Sequence, residues 1–188
     1  MFRHLFIFAW AGLLLAGCST TLVRDEPKAI RVGESGVSCA AAPLAEALLK
    51  QRGTIVSALN GSWKDHVFSA ECVVRGEEDK FTAVFLAPHM RLATLTLTPP
   101  HTVTLERARS VPAAFEPEYA LFDLAVVHLP TIALKQALGG DFVVAETATT
   151  RTVSTRGQTV ARRQKLPNGL TRYENLSLGY SYDLKEIR

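Results

Sequence analysis

The chain is poor in cysteine, carries little net charge and lacks the short catalytic signatures. Its 188 residues hold three cysteines, Cys18, Cys39 and Cys72. Three are too few for a disulfide-dense scaffold, and no Cys-x-x-Cys pair is present. His66, His89, His101 and His128 are scattered, and none makes a ligand pair with a cysteine at a recognised spacing, so no metal and no cofactor is expected. A net charge of +3 gives little support for nucleic acid as a partner. There is no Gly-x-Ser-x-Gly elbow, no glycine-rich phosphate loop and no His-Glu-x-x-His. No catalytic residue is assigned, and the chain is not expected to be an enzyme. Internal repeats and low-complexity segments are absent as well.

What is present begins at the N-terminus. Arg3 precedes an apolar run, Leu5 to Ala16, about a dozen residues and too short to span a bilayer. The run closes on Leu15-Ala16-Gly17-Cys18, which resembles a bacterial lipobox. That resemblance implies cleavage before Cys18 and lipidation of its thiol, with residues 1–17 a signal peptide. Ser19 follows, whereas Asp at that position usually retains a lipoprotein in the inner membrane. The expected location is therefore the outer membrane, lipid-anchored and facing the periplasm. Several acyl chains anchor stably where one holds only marginally.

Residues 18–38 are polar, contain Pro27, Gly33 and Gly36, and read as the lipidated N-terminus and a tether. Residues 39–188 read as one domain, and a composition 47% hydrophobic suffices for its core. In an oxidising periplasm Cys39 and Cys72 are candidates for a disulfide, worth on the order of 3–4 kcal/mol by loop closure. Two buried free thiols are the alternative.

Hydrophobic periodicity predicts a helix over 40–52, with Pro43 in its first turn and Gly53 as its stop. Asn60-Gly61 reads as a turn. Strands follow over 66–75, 81–87, 91–98 and 102–106, with Phe68, Ala70, Cys72 and Val74 sharing one face. Helices over 117–129 and 131–138 come next, then strands over 142–146, 151–156, 159–165, 171–176 and 179–187. The order helix, meander, helix pair, meander predicts an α+β fold: a curved antiparallel sheet with helices on one side. Arg151, Arg156, Arg162, Arg163 and Lys165 read as the solvated face of strands. Asp123, on an apolar helix, reads as a polar residue bonded to neighbouring backbone.

The run Phe115-Glu116-Pro117-Glu118-Tyr119-Ala120-Leu121-Phe122-Asp123-Leu124-Ala125-Val126-Val127-His128-Leu129-Pro130, after a meander, resembles an uncharacterised family of small bacterial lipoproteins. Members are encoded with aryl-polyene and fatty-acid-like synthesis genes. Leu129 stands where that family often has Trp, and Asn175-Leu176-Ser177-Leu178-Gly179-Tyr180-Ser181-Tyr182-Asp183-Leu184 resembles its closing strands. More distantly, the chain is similar to the outer-membrane lipoprotein receptor of the Lol pathway. That similarity implies an unclosed β-barrel covered by helices, with an apolar cavity for acyl chains. The sheet's inward face would supply Phe68, Phe81, Val84, Leu95, Leu97, Val103 and Leu105 to it, and the helices Leu121, Leu124 and Leu134. Alternation by itself suits a filled core equally well. The receptor also carries an exposed apolar residue on a loop between early strands; Met90, in Ala87-Pro88-His89-Met90, is the candidate here, with an ordinary strand-end residue packed under the sheet edge as the equal alternative. The implied function is binding an acyl or polyene-lipid chain, or a lipoprotein's lipid moiety, received by a monomer from a soluble periplasmic carrier and passed to the outer membrane. A structural accessory of an envelope complex, without catalysis, is the alternative.

Overall fold

The computed structural model describes residues 19–33, 36–63, 66–112 and 115–187. Cys18 and the expected signal peptide lie outside the described residues.

Thirteen strands and three helices are formed among them. In chain order they are β1 (Ser19–Arg24), β2 (Ile30–Val32), β3 (Val37–Cys39), α1 (Ala41–Leu49), β4 (Gly53–Trp63), β5 (His66–Gly76), β6 (Phe81–Ala87), β7 (Met90–Thr98) and β8 (Thr102–Ala108). Then follow α2 (Pro117–His128), α3 (Thr131–Leu138), β9 (Phe142–Glu146), β10 (Thr150–Thr155), β11 (Gln158–Lys165), β12 (Thr171–Asn175) and β13 (Tyr180–Glu186). Eleven strands make one sheet in the order β1-β8-β7-β6-β5-β4-β13-β12-β11-β10-β9, and every pairing is antiparallel. The sheet is not closed: β1 and β9 are its edges. Two meanders, β4–β8 and β9–β13, are joined where β4 pairs with β13.

This connectivity dictates where the helices go. The α2–α3 pair links β8, next to the edge strand β1, to β9 at the opposite edge. The connection between them, residues 109–141, crosses the sheet's face. It crosses the apolar one, where Phe81, Leu95, Leu97, Val103 and Leu105 are fully buried. The ribbon β2–β3 contacts α2, and α1 packs against both α2 and α3. With neighbours on all sides, α2 buries nine of its residues, including Glu118 and Asp123, rather than a single stripe.

Three expectations need correction. Of the expected tether, the described residues 19–33 and 36–38 are not free. From Ser19 it is β1, paired over six residues with β8, and then the ribbon β2–β3, where Ile30, Val32, Val37 and Cys39 are buried. Its apolar residues were few but alternate, which is enough for short strands. Asn60-Gly61 is not a turn but the interior of β4; a Cβ at Gly61 would stand 2.6 Å from the Phe68 ring and 2.7 Å from Tyr182 Cβ. The glycine is there for close packing rather than for chain reversal. Cys39 and Cys72 are not bonded to each other: both are free and buried, one on the ribbon and the other on the main sheet. Burial pushes both thiols up to about 12.

Candidate functional site

Strand register lines up one row of side chains across the helix-covered face. Reading across paired positions, it runs Phe68, Gly61, Tyr182, Tyr173, Arg163, Arg151 and Glu146, one residue from each of seven strands. Tyr173 and Tyr182 stack with ring centroids 4.9 Å apart. The next row toward one rim contains Tyr180, Asn175, Ala161, Val153 and Val144. Helix α2 meets these two rows through polar groups in an otherwise apolar interface.

The first polar centre is Asp123, midway along α2. Tyr173 donates its hydroxyl to Oδ1 at 2.6 Å, Asn175 Nδ2 donates to the same oxygen at 3.0 Å, and the Tyr180 hydroxyl donates to Oδ2. Asn175 is oriented by Leu178, whose backbone N–H donates to Oδ1 at 3.0 Å. Burial pushes the Asp123 carboxyl up to about 6, although all three donors pull it back toward the charged form. Burial, with the adjacent carboxylate, holds the hydroxyls of Tyr173 and Tyr180 well above the usual range, so they are donors here. Asp123 is therefore bonded to side chains of β12 and β13, not to neighbouring backbone as its sequence context suggested.

The second centre closes the C-terminal end of α2. Arg151 is 4% exposed, and its Nη1 donates to the carbonyl oxygens of Val126 at 2.8 Å and Leu129 at 2.7 Å. Its Nη2 reaches Thr131 Oγ1 on α3 and both carboxylate oxygens of Glu146. Arg163 donates to Val127 O at 2.8 Å and to Glu146 Oε1 at 2.8 Å. Two cations thus satisfy carbonyls that a helix end leaves orphaned, at the negative pole of its dipole. These arginines do not lie on a solvated face; strand alternation turns both inward. Nearby His128 is half-buried, and burial together with the Arg163 charge lowers it to about 4.

The ten proposed cavity residues divide. Phe81, Leu95, Leu97, Val103, Leu105, Leu121 and Leu134 are fully buried, Leu124 is 5% exposed, and Phe68 packs against the core from the rim. They meet one another and fill the interior with Phe122, Leu44 and Leu48. Val84 does not belong to the set. Phe81 and Ala83 point inward, so by the two-residue period Val84 shares the outer face with Thr82. A cleft of about 220 Å³, lined by Arg24, Lys28, Ile30, Glu116, Glu118 and Tyr119, lies outside the apolar layer. Met90 is 45% exposed, on the tip of the β6–β7 hairpin, where His89 takes a positive φ of 69°. No three His, Cys, Asp or Glu side chains come together to hold a metal among the described residues.

Sequence reasoning missed Tyr173, Asn175, Tyr180, Arg151 and Arg163 as partners of α2. A signal was present: Tyr173 and Asn175 are two apart, as are Tyr180 and Tyr182, so each pair shares a strand face. No curated protein matches the chain. Over residues 54–188 it matches the family described as Protein of unknown function (DUF3261), and the chain belongs to that family.

Proposed function

We propose that this protein is an outer-membrane lipoprotein, acylated at Cys18, that takes an acyl or polyene-lipid chain, or a lipoprotein's lipid moiety, between its sheet and its helices and aids its transfer to the outer membrane. The observation that carries the reading is the unclosed eleven-stranded sheet, whose apolar face is covered by helices on a long connection. An unclosed sheet covered by helices supports the reading through the resemblance to the Lol-pathway receptor. The supplier would be a soluble periplasmic carrier, and the gene neighbourhood of the resembling family favours a fatty-acid-like cargo.

With the interior filled, cargo enters only if α2 and α3 lift from the sheet. The apolar layer they uncover then returns ~0.8 kcal/mol per methylene of cargo buried. The polar centres at Asp123 and Arg151 are suited to such a cover, because they specify one closed position among many similar apolar packings.

Native mass spectrometry of the full chain extracted from envelopes tests this, combined with a photoactivatable fatty acid. An acyl-lipid adduct, and labelling on α2 and β7 peptides, are expected. The absence of both the adduct and the labelling would overturn the reading.

A further inference from the structure

We propose that β1 pins the acylated N-terminus to one rim of the sheet, so that the domain stands on the bilayer through that rim instead of moving on a tether. The inference rests on the lipid-anchor reading of Cys18 and adds to it an orientation and a contact surface.

Ser19 pairs with Ala108, and pairing continues without a break to Arg24 opposite Val103. The residue before Ser19 has its Cα only ~3.8 Å further on. An acyl group on Cys18 therefore emerges at the end of β8, with no flexible residues between anchor and sheet. The register then says what else lies at that rim. Ala93 pairs with Arg107, so the β6–β7 tip at Pro88, His89 and Met90 projects past the end of β8. Trp63 pairs with His66 at the tip of the β4–β5 hairpin, and Tyr180, which pairs with Trp63, starts β13 on the same side.

The chemistry of the rim fits a lipid surface. Three of the large exposed hydrophobics stand at its hairpin tips: Val67 (86% exposed), Met90 (45%) and Leu176 (45%). Arg91 and Arg109 are exposed beside Met90 and the end of β8, and neither is paired with a carboxylate among the described residues. The opposite rim carries Glu77, Glu78 and Asp79 on the β5–β6 turn, beside the exposed Lys80 and Arg75, which pairs with Glu77, and so has mixed charge. Apolar tips, with two arginines beside one of them, suit an anionic bilayer. At 3.3–3.4 Å per residue, the ten steps of β5 separate the two rims by about 33 Å. The rim near the anchor can touch lipid while the other stays in water.

The test uses the acylated full chain in vesicles of phosphatidylethanolamine and phosphatidylglycerol containing doxyl-labelled lipid. Met90→Cys, Val67→Cys and Asp79→Cys carry a bimane fluorophore, and unlabelled wild type confirms that the buried Cys39 and Cys72 do not react. Quenching several-fold stronger at positions 90 and 67 than at 79 is expected. Inserting a dozen Gly-Ser residues between Cys18 and Ser19 should reduce it. Equal quenching at the three positions, or quenching indifferent to the inserted linker, overturns the proposal. The mass of the purified chain separates the two failures: an acylated protein without rim-specific quenching refutes only the orientation, whereas an unacylated one refutes the anchor itself.

Discussion

Tyr173 and Asp123, fifty residues apart, meet at 2.6 Å and hold α2 to the sheet. The hydroxyl and the carboxyl are both fully buried, so each depends on the other for a partner. Tyr173→Phe removes one donor from a carboxyl that still has Asn175 and Tyr180. A loss of about 1–3 kcal/mol in unfolding free energy is expected from urea titration. A fall smaller than the error of the titration would show that the bond adds nothing to stability.

Asp123 and His128 give opposite pH dependences. The carboxyl is raised from 3.8 to about 6, so the folded state favours its protonated form. Its contribution is complete below pH 3.8 and lost as pH rises through 6. The imidazole is lowered from 6.5 to about 4, so its contribution is present above pH 6.5 and lost as pH falls through 4. Each is worth up to about 3 kcal/mol, and between pH 4 and 6.5 the two oppose each other. Asp123→Asn should make stability climb with pH across this window, and His128→Gln should make it fall. Denaturant midpoints at pH 4.5, 5.5 and 6.5 for the two variants supply the check.

Arg151 should not tolerate lysine. Its guanidinium serves two carbonyls, a hydroxyl and a carboxylate at once, and a single ammonium has neither that fork nor that reach. Arg151→Met leaves Glu146 and the end of α2 short of partners, and a loss of about 3–5 kcal/mol is expected. Arg151→Lys should recover only part of it. Thermal unfolding of the three proteins ranks them directly.

Gly61→Ala should cost about 1–3 kcal/mol or more through overpacking, because the added methyl meets a ring, a carbonyl oxygen and a Cβ all within 2.7 Å. If the Phe68 ring is the obstacle that yields, Phe68→Leu in the same chain should restore part of the loss.

The thiols report on the cysteine pair. Without reductant, Cys39 and Cys72 should both stay unalkylated in the folded protein and both react once it is denatured. A mass unchanged by alkylation in denaturant would show a disulfide instead.

Particular elements show what could be read ahead of the structure. The alternation of Leu95 and Leu97 with threonines made β7 legible, and Pro117 and Pro130 bracketed α2. β4 was hidden because Asn60-Gly61 carries a turn composition that packing against Tyr182 overrides. β1 was hidden because an edge strand with one exposed face needs few apolar residues. The candidate site was the least legible part. Asp123 and its three partners lie fifty or more residues apart, and spacing along the chain says nothing about such pairs.

The sequence alone determined the order of most elements and which faces of the strands are apolar, because side chains alternate with a fixed period of two. Only the tertiary structure decided that the helix connection crosses the sheet, that Arg151 and Arg163 turn inward to cap α2, and that the segment after Cys18 joins the sheet. Those outcomes depend on which strands become neighbours, and strand neighbours are chosen by the packing of the whole chain.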